Sequence, residues 1–253
     1  MQPTSEISKN IESYVTDVYL NTALVQNNRV EDMMDICSLE LLLEMAQLVK
    51  CPEPILEMGY GTGLMLHELI RRHGLRIDLV EGSSALCEQA RRLYGSTGME
   101  VFHSYFETFT CEKKYDNILA MHVLEHVDDP VRVLRQMKLA LNPGGRVIVL
   151  VPNAHSLHRR LAVHMKLQDS LHTLSPRDHL VGHQRVFDPS GLHDCAVDAG
   201  LAVERDFGFG LKTLPYSMME GWSDELIRAC VQVSPEVPSA LLGNIGLIAR
   251  KPV

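Results

Sequence analysis

"ILEMGYGTGLMLHEL", residues 55–69, packs Gly59, Gly61 and Gly63 into five positions and sets Glu57 two residues before the first of them. A short apolar run, a glycine loop and an apolar stretch of helical spacing read as strand, sharp turn and helix. Glycines let the chain turn tightly and let a ligand lie against main-chain atoms without interference from Cβ. The spacing here is G-x-G-x-G, because Leu64 stands three residues after Gly61 where a dinucleotide loop would repeat glycine. A pyrophosphate would also sit near the Glu57 carboxylate, and that repulsion disfavours NAD and FAD. A ligand carrying positive charge would gain from it.

Outward from this stretch the pattern alternates. The run "PILEM" leads into a helix from about Gly63 to His73, then "RIDLVE", the helix "SALCEQARRLY" and "MEVFHSY". Next come "YDNILAMHV", the helix "PVRVLRQMKLAL", the turn "NPGG" and the run "RVIVLVP". Strands separated by helices of this length imply right-handed crossovers and a parallel sheet. "DPSGLHDCAVDAG" opens with Asp188 as an N-cap and Pro189 in the first turn and closes on Gly200, marking another helix. "LAVERDFGFG" and "NIGLIARKP" supply two last strands. The expected fold is α/β: a doubly wound, Rossmann-like, mostly parallel seven-stranded sheet.

Residues 1–50 read as a helical lead-in ending in the amphipathic "SLELLLEMAQLVK", with the domain proper over 51–253. Two insertions interrupt it, at about 154–186 and 211–241, each too long for a simple connection. The first crowds His155, His158, Arg159, Arg160, His164, His172, Arg177, His179 and His183 together, a lid that could offer cations to a carboxylate or phosphate. The second holds Tyr216, Met218, Met219 and Trp222, a composition that suits an apolar pocket wall or a contact in a homodimer.

Composition excludes several classes. With 45% apolar and 22% charged residues in 253, the chain reads as a soluble globular enzyme with no membrane span. The N-terminal "MQPTSEISKNIES" has no secretory pattern, so the cytoplasm is expected. A net charge of −8 gives no reason to seek a nucleic-acid partner. Six cysteines without a C-x-x-C pair argue against a zinc knuckle and against disulfides. Twelve histidines are many, and ten lie between His103 and His193, so chemistry is expected in that half.

The positive charge that Glu57 calls for is met by S-adenosylmethionine, which pairs a sulfonium with a free α-amino group. Glu81 closes the next strand, where an acid can accept both ribose hydroxyl protons; that feature supports a nucleoside without choosing between cofactors. "LEMGYGTG", "VEGS", "YDNILAMHVLEHVDDP" and "LNPGGRVIVLVPN", in this order and spacing, resemble the class I S-adenosylmethionine-dependent methyltransferases. The likeness spans about residues 50–205 and is strongest to the small-molecule branch of ubiquinone-type O-methyltransferases. It implies that Glu57, Gly59, Gly61 and Gly63 line the methionine end, that Glu81 holds the ribose, and that Gly82 lets the backbone pass close to it. The family often places an Asp after the third strand for the adenine. Here "HSYFETF" has none at that point, leaving Ser104, or the backbone at Tyr105 and Phe106, to replace it.

After the fourth strand the resemblance places residues that face cofactor and substrate, and the sequence there reads Met121-His122-Val123-Leu124-Glu125-His126. His122 and His126 would share a face if the segment were helical, and both are candidates for catalysis, His126 as the general base for a hydroxyl acceptor. Some relatives bind a divalent ion through E-x-x-E-H and a later His. This chain offers His122, Glu125, His126 and His183 at those places, with His for the first acid, and no residue is assigned as a metal ligand. The resemblance implies methyl transfer to a small molecule, most readily at oxygen. The alternatives are a nitrogen acceptor, an RNA or peptide, or a non-catalytic protein that binds the cofactor.

Overall fold

The computed structural model describes residues 16–20 and 28–253, so the rest of the helical lead-in expected over 1–50 lies outside the described residues. Seven strands form one sheet in the order β3-β2-β1-β4-β5-β7-β6: β1 Ile55–Met58, β2 Ile77–Glu81, β3 Val101–His103, β4 Tyr115–Met121, β5 Leu141–Pro152, β6 Ala202–Phe209 and β7 Asn244–Arg250. The first five run parallel, and β7 lies antiparallel between β5 and β6. The chain reverses direction across the sheet between β1 and β4, and in open α/β sheets such a switch point opens a crevice at the carboxyl ends of the strands.

Both faces of the sheet are covered, which is why β1 and β2 are buried along their whole length. Alternate residues serve opposite cores. Leu56, Met58, Ile118, Val147 and Val149 pack with helices α4 (Pro130–Ala140) and α7 (Pro189–Asp198). Ile55, Leu79, Leu119, Ile148 and Leu150 pack on the other side with α1 (Arg29–Met45), α2 (Leu64–His67) and α3 (Ser84–Tyr94). Side-chain caps start the helices: Asn28 for α1, Ser83 for α3, Asp129 before Pro130 and Asp188 before Pro189.

Several expectations change in detail. The helix expected over 63–73 is one α-turn, α2, that widens into π turns over Glu68–Arg72, with Gly63 as its N-cap. "NPGG" is the first part of β5 rather than a turn before it, because Lys251 donates to Gly145 O and Gly144 donates to Lys251 O along the chain's last residues. A register shift opposite Tyr115 and Asn117 absorbs the irregularity. The insertion at 154–186 holds two short helices, α5 (Leu157–His164) and α6 (Pro176–Leu180). The one at 211–241 holds α8 (Asp224–Gln232).

Helix α8 packs against α1. Val30, Met34 and Cys37 form a separate apolar cluster with Met219, Ile227 and Val231, and Trp222 and Tyr216 border it. Met219 and Trp222 thus join the second insertion to the lead-in within one chain, while Met218 stands exposed. Arg146 fixes the other end of α1 by donating to Ala46 O at 3.0 Å. No helix among the described residues is long and apolar enough to cross a membrane.

Gly246 sits mid-strand in β7 with the Val149 carbonyl and the Phe207 ring closer to its missing Cβ than van der Waals contact allows. Gly246→Ala should therefore prise β7 from β5 and destabilise the fold by about 3 kcal/mol. An unchanged midpoint in urea unfolding would show that the sheet is not closed so tightly here.

Candidate functional site

A cavity of about 1080 Å³ opens at the carboxyl ends of β1, β2, β4 and β5. Its floor includes Glu57, Gly59, Gly61, Glu81, Gly82, Met121, His122 and His126; Tyr105 and Phe106 form a side wall. Glu31, Asp32 and Asp35 of α1, His158 and Arg159 of α5, Arg177 and Asp178 of α6, and Lys212 and Tyr216 close over it. The lead-in and both insertions therefore make one lid.

Glu57 owes its burial to strand periodicity. It shares a face with Ile55 and pairs in register with Leu79 and Leu119, so its carboxyl sits among aliphatic side chains, 2% exposed. Oε2 has no hydrogen-bond partner among the described residues, and burial alone pushes the carboxyl well above the usual range. The loop beyond it needs its glycines: φ is +90° at Gly59, +52° at Gly61 and +81° at Gly63. Their roles separate. Gly59 and Gly61 line the cavity, and a Cβ on Gly61 would meet nothing within 4 Å. Gly63 does not line it; a Cβ there would fall 2.6 Å from the Tyr60 hydroxyl, so this glycine serves the turn into α2.

Glu81 closes β2 with each carboxylate oxygen accepting one backbone N–H at 2.8 Å, from Tyr60 and from Ser83. Burial raises its carboxyl and these bonds oppose the rise. The Gly82 N–H adds to them, and the carboxylate keeps acceptor capacity for a hydroxyl donor. Of the alternatives for the adenine side, Tyr105 and Phe106 line the cavity, whereas the Ser104 hydroxyl turns back to its neighbour's carbonyl.

The segment after β4 is not helical, so His122 and His126 do not share a helix face. His122 adopts φ +57° while its N–H continues the ladder to Leu150 O at 2.8 Å, and turns follow. The end of the first insertion clamps this loop: Gln184 N donates to Glu125 O at 2.8 Å and Arg185 to Leu124 O at 3.1 Å. Glu125 is fully buried, with His122 Nδ1 3.3 Å from its Oε1. Burial would lower the His122 pKa, but its contact with Glu125 and the charge of Asp35 outweigh that and lift it to about 9. Burial takes His126 the other way, down to about 4. At neutral pH His122 is a cation and His126 a neutral, weak base.

His126 and His183 meet edge to face, ring centroids 4.8 Å apart. His183 Nδ1 lies 2.9 Å from Asp178 Oδ1, and Asp178 also receives Arg159 at 2.6 Å and the Ser175 N–H and hydroxyl at 2.7 Å. Burial works against that carboxylate, yet the bonds from His183, Ser175 and Arg159 hold it far below the usual range. Of the four residues that the sequence aligns with a metal pattern, Glu125, His126 and His183 bring one donor atom each within 4.8 Å of one another. A second such group joins His155 and His172 of the first insertion to Asp188 at the start of α7. In the first group the Glu125 charge is answered by His122 and His183 is held by Asp178, so the protein itself supplies the partners an ion would.

Two residues had no sequence signal. Asp35 lies half-buried on α1 with no ion pair among the described residues; burial raises its carboxyl to about 7, with His122 lowering it and Glu31 raising it. Lys212 reaches the cavity from the second insertion.

A family model described as a methyltransferase domain matches residues 30–205. The chain belongs to the class I S-adenosylmethionine-dependent methyltransferase family. It is 31% identical over 124 residues to a malonyl-[acyl-carrier protein] O-methyltransferase of Ilyobacter polytropus, a match covering 48% of this chain and 44% of that protein. It is 26% identical over 167 residues to a ubiquinone biosynthesis O-methyltransferase of Hydrogenovibrio crunogenus, covering 63% and 66%. The chain thus spans from under half to about two-thirds of the length of these relatives. The CcbJ methyltransferase of Streptomyces caelestis shares the fold at a TM-score of 0.60 and 16% identity, covering 94% of this chain and 96% of that one.

The residues present fit the cofactor that this methyltransferase family implies: a buried carboxyl oxygen without a donor among the described residues for a cationic amino-acid end, and a cavity-lining acid with acceptor capacity left for a ribose hydroxyl. A cation bound beside Glu57 lowers its pKa, so binding releases a proton in the window between the two values and tightens as pH rises across it. Calorimetry in two buffers of different ionisation enthalpy should show that release for the native protein. Glu57→Gln should abolish it and weaken S-adenosylmethionine about tenfold. Identical proton release from the variant would place the titrating group elsewhere. Elemental analysis of protein prepared without chelator is expected to show no stoichiometric metal; one equivalent, lost on His183→Ala, would instead assign the Glu125, His126 and His183 donors to an ion.

Proposed function

We propose that the protein transfers a methyl group from S-adenosylmethionine to an oxygen of a small-molecule acceptor. The observation that carries this reading is the Glu57 carboxyl, buried and partnerless at a glycine loop inside a cavity large enough for cofactor and acceptor together. Oxygen as the acceptor atom is supported by the O-methyltransferase names of the relatives. A small molecule is favoured because α1, α5, α6 and the second insertion cover the cavity.

S-adenosylmethionine, when bound, supplies a methyl group on a sulfonium whose departure leaves a neutral thioether. The chain's own contribution is then positioning and exclusion of water, which lower much of the barrier of an in-line displacement. A hydroxyl acceptor must also give up its proton. His122 already carries one, and His126 is too weak a base at about 4. Asp35, raised to about 7 and facing the same cavity, matches the working pH and becomes the proton acceptor in place of the two histidines. His122 then holds Asp35 within reach of neutrality, and His126 remains a neutral wall of the site.

Formation of S-adenosylhomocysteine over a panel of hydroxylated and carboxylated metabolites, followed by mass spectrometry, tests the activity. Binding of S-adenosylmethionine with no turnover of any acceptor would favour the non-catalytic reading. With an acceptor in hand, kcat should rise with pH through about 7, because Asp35 accepts a proton only when ionised. Asp35→Asn should cut kcat about a hundredfold or more and flatten that limb while S-adenosylhomocysteine affinity stays the same. A variant that kept the native pH limb would exonerate Asp35.

A further inference from the structure

Four Lys or Arg side chains line the cavity: Arg29, Arg159, Arg177 and Lys212. Three are spent on the protein itself. Arg29 pairs with Asp224 and also donates to the Glu220 and Trp222 carbonyls; Arg159 pairs with Asp178; Arg177 pairs with Glu31. The cations expected of the first insertion are therefore closed within the lid. Lys212, from the second insertion, has no carboxylate partner and no side-chain hydrogen bond among the described residues.

Its place is built. The Lys212 N–H donates to Gly210 O at 2.9 Å, and the side-chain stem lies against Gly243, where a Cβ would come 3.2 Å from Lys212 Cβ. The ammonium sits 3.4 Å from the centroid of the Tyr216 ring. An aromatic face attracts a cation but accepts none of its three N–H groups as a carboxylate would, so the charge is under-compensated. Burial accordingly draws the ammonium down to about 8, against the pull of Glu31 and with Arg159 and Arg177 adding to the fall. On α5, lining the same cavity, the buried Nδ1 of His158 also has no partner among the described residues, and the charge of Lys212 is felt there. Asp32 and Asp35 on α1 line the same cavity, and burial shifts both towards the protonated form, with the charge of Lys212 drawing Asp35 back.

We propose that Lys212 and His158 form an anion subsite, and that the methyl acceptor carries a carboxylate or phosphate group which Lys212 holds while the reacting hydroxyl faces Asp35. This deepens the proposed methyltransferase reading and rests on it. The anion accepts from the Lys212 ammonium and from His158 in its Nδ1–H tautomer, which orients the acceptor from the lid side. Closure of the lid and recognition of the acceptor are thereby one event, since Lys212, Tyr216 and His158 all belong to the insertions.

The test uses the full chain saturated with S-adenosylhomocysteine, titrated by calorimetry with inorganic phosphate and, separately, with benzoate. The native protein should bind at least one probe; phosphate alone marks a phosphorylated acceptor, and benzoate alone marks a carboxylic acid. Lys212→Met should weaken that probe by about tenfold or more, and Lys212→Arg should restore most of it. Both variants should keep native affinity for S-adenosylhomocysteine, which reports folding and the cofactor half of the cavity. If neither probe binds the native protein, or if Lys212→Met binds as tightly, the anion subsite is overturned while the methyltransferase reading stands. Loss of S-adenosylhomocysteine binding by the native protein would instead overturn that underlying reading.

Discussion

A carboxyl group enclosed by aliphatic side chains at the end of a central strand costs free energy unless something charged or hydrogen-bonding arrives to meet it. Glu57 is in that position because it alternates with Leu56 and Met58 along β1, so it must share the face of Ile55, Leu79 and Leu119. The fold tolerates the penalty where its sheet opens a crevice between β1 and β4. A polar, cationic ligand relieves the strain on that carboxyl, and the three left-handed glycines beside it hold the main chain where such a ligand can approach.

The lid follows the same economy of charge. Arg29, Arg159 and Arg177 lace the lead-in helix and the two insertions together through Asp224, Asp178 and Glu31. Their charges are consumed in holding the cover in place. From the lid, Asp35, Lys212 and the Nδ1 of His158 line the interior without an ion pair or side-chain hydrogen bond among the described residues. Buried groups left in this state are the ones whose protonation a bound molecule can change. The histidine loop after β4 divides its labour in the same way, with His122 charged against Glu125 and His126 neutral against His183.

The sheet and its crossovers were legible because they rest on local signals. Period-two burial, glycine turns and proline-preceded caps such as Asp129-Pro130 and Asp188-Pro189 act within a few residues of themselves. The glycine-loop end of the cavity was legible for the same reason, since Glu57, Gly59 and Gly61 lie within five residues on one strand end and its loop. Gly63 misled because the spacing of a motif does not say which glycine meets the ligand and which meets Tyr60. The reversal at "NPGG" misled because the chain's last residues pair with it from across the sheet.

The sequence by itself determined the α/β architecture, the methyltransferase family and the two acids, Glu57 and Glu81, that line the cavity at the ends of β1 and β2, all properties of contiguous residues. Only the tertiary structure decided which ionisable groups remain free in the cavity. Asp35 and Lys212 are 177 residues apart in the chain and line one cavity because α1 packs on the second insertion through Met34, Met219 and Ile227. A side chain's charge state depends on its burial and on partners brought from elsewhere in the chain, so no local pattern could have told the spent arginines of the lid from Lys212, which faces the cavity without a carboxylate partner among the described residues.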